Sequence, residues 1–432
     1  MKKIVSIFLS VVITFGCIGY FDFYSNAESE KDFYSYISDN IRKFNTRIDI
    51  ADYMKKNNWT FEEVKSEVRK LYLLEPEFFY VDNEIGFLYS ENYERVCLEF
   101  SYLYSESEVK KMKKAMNKAA LKAIEDIDDD MSDVEKALIV HDYLVLNTYY
   151  DYSGDGSNAY NCLVEKSAVC QGYSLAYMYI MNDLLGIDCS VVFSDIQNHA
   201  WNYIKIGKYW YHVDLTADDP TFSTYEGEKY DNKGHVIHNN FLLSDDACYK
   251  SSELHRDWNT LDLPKAKNKK YDNYFWKDTS GAVCEIDGLW YYTVLDKTSP
   301  GLNYKESNDS SIYTKICAYS FDTKKSEVVT RIKCSWKVYR SAETGKIVNN
   351  DMWYKGTFIK LVNLNDELYF NTSKAVYRLN TNTKKSKKIY TLKKDKMSIY
   401  AIMPVNSSKI RIVYKKDLTY KNNYLNIKLK SA

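Results

Sequence analysis

Three residues in this chain have side chains that could act together on an acyl group. Cys170 opens the run "CQGYSLAYMYIMNDLLGID", His199 opens "HAWNYIKI", and Asp214 closes "YWYHVD". A thiol is a nucleophile only as its thiolate, so it needs a base to take or share its proton and a setting that favours negative charge. An imidazole supplies the base, and a carboxylate on the far ring nitrogen fixes its tautomer and balances its charge.

Each of the three must be placed by an element that the sequence already outlines. After Cys170, Tyr173, Ala176, Tyr177, Ile180 and Leu184 form a stripe at helical spacing, and Leu175, Met178, Met181 and Leu185 cover much of the rest. That pattern predicts a buried helix ending at Gly186, with the strand-like "CSVVFS" beyond it. Cys170 then sits at the helix N-terminus, where unpaired N–H groups and the helix dipole favour a thiolate.

Downstream, Gly207-Lys208 is a Gly-X pair suited to a two-residue type II′ hairpin. With Ile206 facing Tyr209, Trp201 opposes Asp214 and His199 opposes Thr216. This makes His199 and Asp214 diagonal neighbours on one face, about 7–8 Å apart at the backbone. His212 competes for the same carboxylate, because residues 212 and 214 also share a face. The diagonal approach from the neighbouring strand favours His199.

Other clusters carry less. His141 stands beside Asp142 in "SDVEKALIVHDYLVLN", a helix opened by the Ser132/Glu135 capping box, and such a histidine is ordinarily a packing residue. His235 and His238 in "HVIH" have metal-ligand spacing without an acidic or Cys partner at a suggestive distance. "DYSGDGSN" starts like a calcium loop, but its twelfth position is Cys162 where a bidentate Glu is needed, so a Gly-containing turn is expected.

"AVCQGYSLAYMYIMNDLLGI", "NHAWNYIKIGKYWYHVDLT" and the trailing "DDP" together resemble the signature blocks of the transglutaminase-like superfamily, whose architecture is papain-like. "HDYLVLNTYYDY" is similar to the helix that precedes the family's catalytic block, so the resemblance covers about 130 residues. It implies that Cys170 is the nucleophile, His199 the general base and Asp214 the orienting acid, with no cofactor and no metal. The family often has Trp before the paired acids where this chain has Ala217 before Asp218-Asp219. The second oxyanion donor, besides the Cys170 amide, is not identifiable; Tyr160 and Asn161 are the candidates.

The rest of the chain frames this core. Residues 1–27 read as a signal peptide: Lys2 and Lys3, an apolar stretch from Ile4 to Phe21, then Ser25-Asn26-Ala27. The stretch is also just long enough to cross a bilayer, so an uncleaved N-terminal anchor is the alternative and the only membrane contact expected. Either case puts the body at the cell surface or outside the cell. Lys plus Arg and Asp plus Glu are both 59 among 432 residues, so no overall field favours nucleic acid. Nine cysteines without a CxxC pair exclude a disulfide scaffold and a zinc knuckle.

Residues 28–131 read as a helical region with a short β insertion, and the Thr60/Glu63 capping box opens one of its helices. Residues 132–262 form the expected catalytic domain. Residues 275–432 alternate in short runs and repeat: "FDTKKS" at 321–326 returns as "TNTKKS" at 381–386, and "DGLWYYT" at 287–293 as "NDELYFN" at 365–371. About two and a half blade-like units fit, with an insertion around 297–311, giving an open or partial β-repeat domain.

The expectation is an exported α+β protein: a transglutaminase-like, papain-like core with a helical N-terminal region and a separate all-β repeat domain. Its function would be thiol-dependent acyl transfer on Gln carboxamides or peptide bonds of a protein or cell-wall peptide, with cross-linking, deamidation and hydrolysis left open. The alternative is a non-catalytic surface-binding protein that keeps the fold. The β-repeat domain would bind a surface partner or act as a spacer.

Overall fold

The structure is a computed structural model that describes residues 9–12, 27–91, 94–219, 221–223, 229–231, 233–260, 263–279, 281–300, 312–334, 358–416 and 421–429. Most of the expected leader, Pro220 of "DDP" and the expected insertion beyond Pro300 lie outside them. Among the described residues are eight α-helices: α1 (Ala27–Arg42), α2 (Ala51–Asn57), α3 (Phe61–Leu74), α4 (Glu106–Leu121), α5 (Asp133–Asn147), α6 (Cys170–Tyr179), α7 (Leu215–Asp218) and α8 (Asp245–Ser251). None is long and apolar enough to cross a membrane. Several separate antiparallel sheets accompany them, so the fold is mixed α+β. The chain divides into two compact units, Met1–Asp128 with Asp151–Val213 and Asp245–Lys267, and Asp129–Tyr150 with Asp214–Ser244 and Asn268–Ala432.

In the first unit, α3 starts at a complete capping box. The Thr60 amide donates to Glu63 Oε2 at 2.6 Å and the Glu63 amide donates to Thr60 Oγ1 at 3.3 Å. Val64, Val68 and Leu71 then recur at helical spacing and are buried. A four-stranded sheet runs in the order Leu9–Val12, Val81–Tyr89, Val96–Tyr102, Arg47–Asp49. Val96, Leu98 and Phe100 alternate inward along its third strand.

α6 is buried on every side from Gln171 to Tyr179, as its all-round apolar composition requires. A π-helical turn, Ile180–Leu184, follows, and Gly186 takes a φ of +66° just past the end, where a Cβ would be strained. Three strands, Cys189–Ser194, His199–Ile206 and Tyr209–Val213, pair antiparallel in sequence order. Gly207 has φ +60° and its hairpin register runs from Ile206 opposite Tyr209 to Asn202 opposite Val213, as the Gly-X turn predicts. α6 packs against strand His199–Ile206.

In the second unit, the Ser132/Glu135 box opens α5, which buries Ala137, Leu138, Val140, His141 and Leu144. Three meanders follow: four strands across 284–334, four across 361–391 and three across 397–428. The sequence repeats fall on equivalent places. "FDTKKS" and "TNTKKS" are each the turn into a fourth strand, with Lys324 and Lys384 at φ +56° and +55°. "DGLWYYT" and "NDELYFN" each contain the second strand, preceded by the turn pairs Asp287-Gly288 and Asn365-Asp366, all four at positive φ as a type I′ turn demands. Ile286, Ile316, Leu368, Phe370 and Tyr400 share one core across these sheets.

Candidate active site

Cys170 is the first residue of α6 and is half-buried. Seven described cysteines carry no disulfide, and all of these except Cys97 and Cys170 are buried. Burial pushes the thiols of Cys97 and Cys189 up, which opposes ionisation there. The cap of α6 is Val169, extended at φ −90° and ψ 179°, whose side chain makes no cap hydrogen bond to the helix. Cys170 thus stands at the helix end where backbone N–H groups have no intrahelical acceptor.

The chain is forced into this entry by close contact. The Val169 amide donates to the Gly156 carbonyl at 2.9 Å, and the Asp151 amide to the Ala168 carbonyl at 2.8 Å. A Cβ on Gly172 would lie 2.5 Å from the Gly156 carbonyl oxygen, and one on Gly156 would lie 2.6 Å from Ala168 Cα, so neither position admits a side chain. The Asp151 carboxylate shapes the "DYSGDGSN" turn itself, accepting from the Ser153 amide at 2.9 Å, Ser153 Oγ at 2.6 Å and the Gly156 amide at 3.0 Å.

His199 begins its strand opposite Ser194 and is 8% exposed. Its ring stacks on Trp201 with centroids 5.5 Å apart. A hydrogen-bond chain joins this strand to the thiol's turn of helix. Asn202 Nδ2 donates to the Ser174 carbonyl at 2.9 Å, and Ser174 Oγ donates to the Cys170 carbonyl at 2.8 Å.

His212, the competing base, is committed elsewhere. An indole N–H can only donate, so Trp201 Nε1, 2.9 Å from His212 Nδ1, makes that nitrogen the acceptor. Nε2 then carries the proton and donates to Asp245 Oδ1 at 2.9 Å. Burial holds the His212 ring below its ordinary range, against the pull of Asp245.

His255 is a site-lining residue that the sequence did not flag. It is fully buried, its ring lies 5.9 Å from that of His199, and a ring nitrogen of each falls within 4.8 Å. Its Nδ1 meets Ser251 Oγ at 2.9 Å and the Cys248 carbonyl at 3.2 Å, so Nδ1 carries a proton toward the carbonyl. Nothing in "ELHRDWN" distinguishes this histidine from a surface one.

Asp214 is the residue after Val213 and opens the second unit's stretch Asp214–Ser244. It is 2% exposed and caps α7, accepting from the Thr216 amide at 3.0 Å, Thr216 Oγ1 at 2.7 Å and the Ala217 amide at 3.0 Å. The two oxyanion candidates lie in the first unit. Tyr160 stacks on Phe79 with centroids 5.2 Å apart, and Asn161 opens the π-helical turn Asn161–Glu165, its amide donating to Asn158 Oδ1 at 3.0 Å.

The "HVIH" histidines part company inside the second unit. His235 packs edge-on against Phe358 at 5.8 Å, while His238 Nε2 donates to Asp142 Oδ1 at 2.6 Å.

No family model matches the sequence, and no curated protein matches it. Among solved structures, one described as the crystal structure of a TGase is 15% identical over 32% of this chain and 44% of that chain, with a TM-score of 0.23.

Proposed function

We propose that this chain is an exported thiol-dependent acyl-transfer enzyme with a transglutaminase-like core. The observation that carries the reading is the placement of Cys170: half-buried, first in a buried helix with no capping side chain, and tied through Ser174 and Asn202 to the strand that His199 begins. In this reading the Cys170 thiolate attacks a Gln carboxamide or peptide carbonyl, forming a C–S bond and a tetrahedral oxyanion that accepts from the Cys170 amide. The C–N bond then breaks, His199 as imidazolium protonates the departing ammonia or amine, and a thioester remains. Neutral His199 next takes a proton from the incoming amine or water, which attacks the thioester and releases the thiolate. Asp214 orients the ring and balances its charge. The basic and apolar leader, Lys2 to Ala27, supports export, and a protein or cell-wall peptide is the substrate class.

The test is mass spectrometry of surface proteins and wall peptides incubated with wild type and with Cys170→Ala. Joined, deamidated or cut products that depend on Cys170 support the reading. Identical product sets from the two proteins, together with Cys170 alkylation no faster than at the other thiols, would overturn it in favour of a binding module.

A further inference from the structure

The second unit buries four ionisable side chains against one another, and the acyl-transfer reading uses none of them. Asp142 Oδ1 accepts from His141 Nδ1 at 2.9 Å and from His238 Nε2 at 2.6 Å, while Oδ2 accepts the Val283 amide at 2.9 Å. Across the His141 ring, Nε2 stands 3.3 Å from Asp218 Oδ2, an ion-pair contact without hydrogen-bond alignment. His141, His238 and Asp218 are fully buried and Asp142 is 5% exposed.

An ionised carboxylate only accepts, so a His141 ring with protons on both nitrogens suits carboxylates on its two sides, whereas a neutral ring would turn a lone pair toward one of them. A divalent cation is the other way to join such a group. Ligands around a tetrahedral ion with bonds of about 2.0–2.1 Å stand about 3.3 Å apart, whereas the two contacts to Asp142 Oδ1 are 2.9 and 2.6 Å. Both contacts to Asp142 Oδ1 are therefore of hydrogen-bond length.

The cluster holds the last residue of α7, Asp218, and through Asn240 the cap at its start. The Asn240 amide donates to Asp218 Oδ1 at 3.0 Å and Oδ2 at 3.1 Å, and Asn240 Nδ2 donates to Oδ1 at 3.0 Å. The Asp218 carbonyl accepts the Ile237 amide at 3.1 Å, and the Asn240 carbonyl accepts the Asp214 amide at 3.0 Å. The path from His141 through Asp218 and Asn240 thus ends on the backbone of Asp214. We infer that His141 is a positioning residue: by holding Asp218 it fixes Asn240 and the cap of α7, and with them the carboxylate of Asp214. This rests on the acyl-transfer reading, which makes Asp214 the orienting acid.

The test uses the full chain with Asp218→Asn, which keeps shape and removes charge, and His141→Gln, which keeps one donor. Iodoacetamide alkylation of Cys170 is followed against pH by mass spectrometry of its peptide, beside Asp214→Asn, with circular dichroism to establish folding. Transfer from a Gln-containing peptide to hydroxylamine is the second readout. The inference expects Asp218→Asn and His141→Gln to shift the pH profile in the same direction as Asp214→Asn, and to lower the transfer rate by about tenfold or more. If both folded variants superimpose on wild type while Asp214→Asn shifts, the inference falls and the acyl-transfer reading stands. If Asp214→Asn itself superimposes on wild type, the reading falls and takes the inference with it. If neither variant folds, the cluster is a folding element and the positioning role is wrong.

Discussion

The side-chain amide of Asn202 donates to the main-chain carbonyl of Ser174 at 2.9 Å, joining the strand that His199 begins to the helix that Cys170 begins, one turn in from the thiol. The same amide lies 3.4 Å from the Ser190 carbonyl, so Asn202 also reaches the neighbouring strand. Its value lies in its donors, because its Nδ2 faces two carbonyl oxygens and the Cys189 sulfur, 3.7 Å away. Asn202→Leu, similar in volume, should lose about 1–2 kcal/mol and slow Cys170 alkylation. Asn202→Asp should cost more, since a fully buried carboxylate would face two carbonyl oxygens with only the weakly donating Cys189 thiol beside it. Urea unfolding of both variants checks the order; an Asp variant as stable as the Leu one would refute it.

Gly172 gives a steric prediction at the same helix end. An added Cβ meets Gly156 O at 2.5 Å, Ala168 Cβ at 2.9 Å and Asn158 O at 3.0 Å, and two of those three are backbone atoms that cannot rotate aside. Gly172→Ala would ordinarily strengthen a helix. Here it should destabilise by about 1–3 kcal/mol through overpacking and displace the thiol's turn. Thermal unfolding and Cys170 alkylation should both fall, and a variant as stable as wild type would show that the loop yields freely.

The devices that were legible in the sequence are those completed within a few residues. Thr60 and Glu63, Ser132 and Glu135, Gly186 after α6, and the Gly207-Lys208 turn each contain their own physical reason, so the helix starts and the hairpin register follow from local pattern. The repeats were legible for the same cause, since each copy carries its own turn at positive φ. His141 was not. Its packing position on α5 was readable, but its partner Asp142 meets His238, 96 residues away, and no periodicity encodes that meeting. His255 and the Trp201–His212–Asp245 chain escaped likewise, because Asp245 lies 33 residues beyond His212. The division of each unit among separated stretches of chain carries no local signal either.

The two histidines of the hairpin should separate cleanly in solution. His212 accepts from Trp201 and donates to Asp245, which leaves it no free nitrogen for a thiol. His212→Gln, which preserves a donor toward Asp245, should cost about 1–3 kcal/mol of stability and leave the Cys170 alkylation rate at neutral pH within about twofold of wild type. His199→Ala should slow alkylation by about tenfold or more. Matching losses in the two variants would return His212 to candidacy as the base.

The His141 cluster makes stability depend on pH at the alkaline side. Burial works against charge on His141, but Asp142 and Asp218 outweigh it and raise the ring to about 9. His238, the other titratable group facing it, is held below its ordinary range by burial, with Asp142 opposing. Burial would raise Asp142, yet His238 and His141 bring it down to about 2. A raised imidazole stabilises the folded state fully below its unfolded value near 6.5 and loses that contribution as pH rises through about 9. The depressed carboxylate acts oppositely, contributing above its unfolded range and failing as pH falls through about 2. The His141 contribution at neutral pH is on the order of 3 kcal/mol. Calorimetry should therefore show the unfolding temperature declining between pH 7 and 10 in wild type, and declining less in His141→Gln, where no proton remains to be lost. Parallel declines in the two proteins would mean that the alkaline loss arises from other groups, and that His141 carries no bound charge in the folded chain.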